Sequence, residues 1–185
     1  RLADAFTPLA KGMNSEYANQ NAYDAIQIHG GSGFIMEYKS QRLYRDARIF
    51  SIYEGTTQLQ VVAAIRYITN GTYLSIMKEI MERPICDCAA PMRERIAKLI
   101  ELYEDALNYV KEQNNQALQD FLARRLYEMT ADIIMSLLPL EDATRAPELF
   151  KKSIHVFVRH AEAECTAHHA YIKAMKAEDL ENFKA

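Results

Sequence analysis

Glycine is concentrated in two short stretches of this chain. Of its six glycines, Gly30, Gly31 and Gly33 lie close together, Gly55 stands apart, and none follows Gly71. Long segments without glycine or proline can continue as helix, because no flexible backbone position or missing N–H interrupts them. No segment alternates apolar and polar residues as a half-buried strand does. The sequence therefore predicts an all-α protein with two places where glycine leaves space for something other than a side chain.

Apolar residues spaced three and four apart indicate where the helices lie. Thr7 is expected to cap the first helix, with Pro8 at its first position, and Pro139 is expected to end the sixth. The predicted helices run from 8 to 29, 41 to 53, 56 or 57 to 70, 73 to 81, 92 to 113, 118 to 139, and from 147 onward. Short polar links between long helices favour an antiparallel bundle. A change in composition after Gly71 divides the chain into residues 1–71 and 72–185.

Charge and composition argue against several functional classes. A net charge of −3 is too close to neutral to indicate nucleic acid or an anionic membrane as partner. The odd number of cysteines, three, argues against a disulfide framework and favours a reducing compartment such as the cytoplasm. Cys86 and Cys88 could join His168 and His169 at a metal, but their spacing is not that of the usual zinc sites. We therefore expect no metal.

Residues 27–33 form the predicted end of a helix that opens into a glycine turn. Backbone without side chains can approach a ligand closely, and exposed amides there can donate to phosphate oxygens. A plain helix stop accounts for the same residues. No strand precedes the stretch, so it is not a dinucleotide-binding fingerprint.

Glu54 stands beside Gly55, immediately before a predicted helix. Glycine gives the carboxylate little steric cover, and the positive end of the helix dipole favours its ionised form. A desolvated but ionised carboxylate is a competent base for a proton bound to carbon. The alternative is an acidic residue that only stabilises the helix start. We expect Glu54 to be shielded from water at a cavity that both glycine stretches line.

Together these residues resemble the C-terminal helical domain of the acyl-CoA dehydrogenase family, over about residues 9–68. Order and spacing of three motifs carry the resemblance: AIQIHGGSGF at 25–34, RLYRDAR at 42–48 and IYEGTTQ at 52–58. Residues 83–185 are more loosely similar to the extra helical region of longer members. Arg45 and Asp46, in the second motif, are expected to form a structural ion pair.

The resemblance implies α,β-dehydrogenation of an acyl-CoA thioester by an FAD enzyme, which passes electrons to electron-transfer flavoprotein or another acceptor. It makes Glu54 the base that removes the α-proton and places Gly55 against the thioester. It assigns residues to the FAD of a neighbouring subunit, namely Gln27, Ile28, His29, Gly30 and Gly31. It assigns a second group to the FAD of the subunit's own active site, namely Thr56, Thr57 and Gln58.

Family members also carry an N-terminal helical domain and a middle β-domain, which this sequence lacks. We therefore expect a fragment that alone binds neither FAD nor acyl-CoA tightly and has no measurable activity. Family tetramers bury this domain at their centre, so a homo-oligomer with dimer contacts through the first helices is expected. The competing hypothesis is a non-catalytic helical interaction module.

Overall fold

A computed structural model describes residues 2–183, and every regular element in that range is a helix. The prediction of an all-α, antiparallel helical protein is confirmed. The α-helices are α1 (Leu2–His29), α2 (Gly31–Phe34), α3 (Lys39–Ala47), α4 (Thr57–Thr69), α5 (Thr72–Met81), α6 (Ala90–Glu112), α7 (Gln116–Arg145) and α8 (Pro147–Ala174). Short 3₁₀ helices cover Arg48–Ser51, Asp87–Ala89 and Ala177–Phe183. The chain forms two compact units, one ending at Ala64 and the other beginning at Ile65.

The first unit is built along α1. The helices α2 and α3 and the 3₁₀ helix Arg48–Ser51 pack against it. Its buried apolar residues include Ala5, Leu9 and Met13 on α1 and Ala47 on α3. This small core leaves the opposite faces of the short helices exposed.

The first helix begins earlier than predicted. Pro8 lies inside α1 and is buried, so the expected start at this proline is wrong. Thr7 does not cap the helix, since its hydroxyl donates to the carbonyl of Ala3 at 2.8 Å, one turn back. A Thr–Pro pair marks a helix start only where the preceding residues resist helix, and residues 2–6 contain no glycine or proline.

The second unit packs the long helices α6, α7 and α8 against one another, with α5 against α6 and α7. Asn115 caps α7, because its side chain accepts from the N–H of Leu118 at 3.0 Å. The helix α7 continues through Pro139 to Arg145, so the predicted end at this proline is wrong. Leu140 and Ala143 are buried beyond the proline, and this burial offsets the lost hydrogen bond.

An ion pair joins α6 to α8 at the surface of the second unit. The guanidinium of Arg95 donates to both carboxylate oxygens of Glu162, each at 2.5 Å. These hydrogen bonds hold the pKa of Glu162 below its usual value. The paired, planar geometry is the one that makes an arginine–carboxylate contact specific.

The cysteines depart from expectation. Cys86 and Cys88 form a disulfide, and Cys165 is free and buried. The prediction against a disulfide framework did not foresee this bridge, because a cysteine count cannot exclude one between near neighbours in a connector. The cysteines therefore no longer favour a reducing compartment. Within residues 2–183, no group of three or more His, Cys, Asp or Glu side chains could hold a metal. No helix in the same range is long and apolar enough to cross a membrane.

Candidate functional site

Glu54 lies in the turn that joins the 3₁₀ helix Arg48–Ser51 to α4. Its φ is +50° and that of Gly55 is +89°, so two consecutive residues have left-handed backbone. Such a conformation is uncommon for a residue with a side chain and needs support from its surroundings. The side chain of Glu54 is exposed. The expected shielding from water is therefore not provided by the described part of this chain.

The helix α1 holds both ends of this turn. The ammonium of Lys11 donates to the carbonyl of Phe50 at 2.8 Å and to that of Gly55 at 2.7 Å. The Ser15 hydroxyl, also on α1, lies 2.9 Å from the Phe50 carbonyl. From α4, the side-chain amide of Gln60 donates to the Gly55 carbonyl at 3.3 Å. No sequence motif assigned Lys11 a role in this turn.

The start of α4 follows directly. Of the two threonines at which the helix was predicted to start, Thr56 is the cap, since its hydroxyl oxygen accepts from the N–H of Leu59 at 3.3 Å. The side chain of Thr57 is buried, and its hydroxyl donates to the Glu16 carboxylate at 2.7 Å. Gln58 is exposed. Thr57 is one of the three residues assigned to the subunit's own FAD, but its hydroxyl donates its hydrogen to a residue of α1.

A polar groove of about 510 Å³ opens at this helix start. Its walls come from α1, from α3 with the following 3₁₀ helix, and from α4: Glu16, Asn19, Gln20, Tyr23, Tyr44, Arg48, Ser51, Ile52, Thr56, Thr57 and Gln58. The rings of Tyr23 and Tyr44 meet edge to face, 6.2 Å between centroids. The buried Asn19 Oδ1 has no hydrogen-bond partner among the described residues. Arg48 and the α4 N-terminus contribute positive charge to the groove and Glu16 contributes a carboxylate, so the groove is suited to a polar ligand.

The other assigned residues, Gln27 to Gly31, lie at the far end of α1 and are all exposed. Gly30 ends the helix with a φ of +60°, and its N–H donates to the Gln27 carbonyl at 3.2 Å. The imidazole Nδ1 of His29 lies 2.9 Å from the carbonyl of Ala25.

The two glycine stretches do not share a cavity. At 1.5 Å per residue, Gly30 lies roughly 28 Å along α1 from Lys11, which binds the Glu54 turn. The residues around the groove include Thr56, Thr57 and Gln58, but neither Glu54 nor Gly55 and none of the residues 27–31. The expected common cavity is therefore wrong, because the rigid helix between the motifs keeps them apart.

Gly33 has a packing role that its neighbours lack. A Cβ at Gly33 would lie 2.6 Å from the carbonyl oxygen of Ile26 and 2.9 Å from the Cβ of His29, whereas a Cβ at Gly31 would meet nothing within 4 Å. Glycine at position 33 thus lets α2 pack against α1. The open space at Gly31 leaves its backbone accessible to a ligand.

We expect Gly33→Ala to lower the free energy of unfolding of the first unit by about 1–3 kcal/mol, because the new methyl group overlaps backbone. Gly31→Ala is the matched control and should change stability by less than about 0.5 kcal/mol. Chemical denaturation followed by circular dichroism would measure both variants. Equal effects of the two substitutions would contradict the packing role.

Two family models match the chain and together cover residues 1–180. The model described as "Acyl-CoA dehydrogenase, C-terminal domain" matches residues 1–68. The model described as "Acyl-CoA dehydrogenase C terminal" matches residues 69–180. The two matches meet within α4.

Individual proteins are also similar to the chain. The caffeyl-CoA reductase-Etf complex subunit CarC of Acetobacterium woodii is 56% identical over 52 residues, which is 28% of this chain and only 14% of that protein. An acyl-CoA dehydrogenase family protein from Porphyromonas gingivalis is 35% identical with a TM-score of 0.59, covering 62% of this chain and 98% of the other. The Bacillus anthracis acyl-CoA dehydrogenase complexed with FAD, 22% identical, has a TM-score of 0.71 over 94% of this chain and 34% of its own.

Proposed function

The chain belongs to the acyl-CoA dehydrogenase family, and from this premise we propose that it is the C-terminal helical part of an FAD-dependent enzyme acting on an acyl-CoA thioester. The observation that carries the proposal is the turn at Glu54. There an exposed carboxylate stands on a left-handed backbone fastened to α1 at both ends. A carboxylate fixed on rigid support, with glycine beside it, is suited to meet a proton on a bound substrate.

In this proposal the groove would hold part of an FAD molecule. The N-terminus of α4 and the guanidinium of Arg48 would bind phosphate oxygens, and the unpartnered Asn19 Oδ1 would accept a hydrogen bond from the ligand. Thr56 and Gln58 would contribute from the rim. The exposed end of α1, residues 27–31, would reach the FAD of a second subunit.

Glu54 removes the α-proton of the thioester in this proposal. FAD, when bound, supplies the acceptor for the hydride that leaves the β-carbon. Gly55 presents no side chain, so the thioester can lie against the backbone beside the carboxylate. Since Glu54 is exposed in this chain, the substrate and the remainder of the enzyme must exclude water from it.

The same groups serve either direction of the reaction. A relative named as a reductase subunit of an Etf complex supports electron-transfer flavoprotein as redox partner. In the reductive direction, Glu54 would return a proton to the α-carbon of an enoyl-CoA, as microscopic reversibility requires.

The exposed apolar surface of the first unit supports a homo-oligomer. Its large exposed side chains include Tyr23, Ile28, Phe34, Ile35, Met36, Tyr38, Leu43, Tyr44, Ile49, Phe50, Ile52, Tyr53, Leu59 and Val62. Leu43 lies on α3, and Phe50 lies in the 3₁₀ helix that follows it. An apolar surface of this extent is typical of one covered by another protein surface. The competing function, a non-catalytic helical interaction module, uses the same surface.

The full-length protein tests the proposal directly. It should purify with bound FAD. Anaerobic addition of an acyl-CoA, or of an enoyl-CoA to the reduced protein, should then change the flavin absorbance near 450 nm. The amount of flavin that reacts should be comparable to the amount of enzyme present. The isolated 185-residue chain should purify without flavin, because it supplies only part of the pocket. A full-length protein that binds no flavin would favour the interaction module.

A further inference from the structure

Lys11 occupies a position that no motif assigns. Its ammonium has three N–H groups, and two of them donate to the carbonyls of Phe50 and Gly55 at 2.8 and 2.7 Å. These two carbonyls bracket the four residues 51–54. One side chain therefore fastens both sides of the turn to α1.

Two further side chains bond to this turn, and each reaches one side of it. The Ser15 hydroxyl lies near the Phe50 carbonyl at 2.9 Å, and the Gln60 amide reaches the Gly55 carbonyl at 3.3 Å. The ammonium also lies 5.6 Å from the centre of the Tyr53 ring, next to Glu54 in the chain. Hydrogen bonds from a charged donor are stronger than those from neutral groups. Lys11 is thus the group best placed to keep the two sides of the turn together.

The backbone at Glu54 needs such support. A glutamate with φ of +50° is in a sparsely populated region, which persists only where the surroundings hold it. If the turn relaxes, the carboxylate moves relative to α1 and to any substrate aligned with it. A displacement near 1 Å at a reacting group can reduce a rate by about 100-fold.

We propose that Lys11 is a positioning residue that holds the Glu54 carboxylate at the substrate α-carbon by clamping the turn between Phe50 and Gly55. The inference rests on the proposed function of Glu54 as the base. Lys11 itself contacts carbonyls of the turn and takes no part in proton transfer. Its loss should slow removal of the α-proton and leave substrate binding intact.

The test uses full-length enzyme with Lys11→Met, in which the side chain keeps much of its length but has no donor. We expect kcat to fall about 100-fold, with KM within about threefold of the original value. The primary isotope effect with α-deuterated acyl-CoA should rise, because the proton step becomes more rate-limiting. Lys11→Arg keeps the charge and the donors, and it should recover most of kcat. Lys39→Met, at an exposed lysine on α3, should leave all three quantities unchanged.

Each outcome decides the matter. An unchanged kcat in Lys11→Met, whether or not KM rises, would overturn the positioning role of Lys11. The proposed function would still stand if Glu54→Gln is inactive. An active Glu54→Gln enzyme would instead overturn the proposed function itself. If Lys11→Met does not fold, Lys11→Gln takes its place, and an unaltered isotope effect in that variant would equally overturn the inference.

Discussion

Glu54→Gln in the full-length enzyme is expected to lower kcat by about 10²–10⁴-fold while FAD stays bound. Glutamine has nearly the same shape as glutamate but cannot accept a proton from carbon. Because the side chain of Glu54 is exposed, its replacement should change the stability of the fold very little. Steady-state turnover and flavin absorbance measured on one preparation would separate lost chemistry from lost cofactor.

A matched control for this substitution is Glu37→Gln. Glu37 is also exposed and lies in the same unit, between α2 and α3, so it tests the general effect of removing one negative charge. We expect its turnover to equal that of the unmodified enzyme. Turnover in Glu54→Gln that matches this control would exclude Glu54 as the base and favour the helical interaction module.

The helices were predictable because their apolar spacing is regular over many turns. On α7, Leu118, Leu122 and Leu126 are fully buried as their spacing requires. Helix ends at proline were not predictable by the same means. Pro8 and Pro139 both lie inside helices, because buried neighbours offset the local cost of a lost hydrogen bond, and local sequence does not report that burial.

The residues of the candidate site were predictable only in part. Glu54 and Thr56 stand in a short motif, and the cap at Thr56 follows from local hydrogen bonding. Lys11 reaches carbonyls 39 and 44 positions away in the chain, a tertiary contact with no local pattern.

The distance between the two glycine stretches was not predicted from the sequence either. Motif order suggested that the glycine stretches face one cavity, yet a continuous helix separates Gly30 from the turn at Glu54. Length along a helix converts to distance at a fixed rise, so this separation could have been calculated once α1 was accepted as unbroken. An arrangement in which each stretch serves a different active site is consistent with that separation.

Leu126→Ala is expected to lower the free energy of unfolding of the second unit by about 2–5 kcal/mol. Leu126 lies on α7 and is fully buried, where α7 packs against α6 and α8. Removing its methyl groups loses apolar burial and leaves a cavity, since close-packed neighbours relax only in part.

The matched control lies on the same helix. Leu138 is 49% exposed, so Leu138→Ala removes the same atoms but should cost less than about 1 kcal/mol. Because the chain forms two compact units, a measurement that resolves individual helices is needed, and amide exchange provides it. In Leu126→Ala, exchange should accelerate in α6, α7 and α8 and stay unchanged in α1. If Leu126→Ala and Leu138→Ala lowered the free energy of unfolding equally, α7 would not form the core of the second unit.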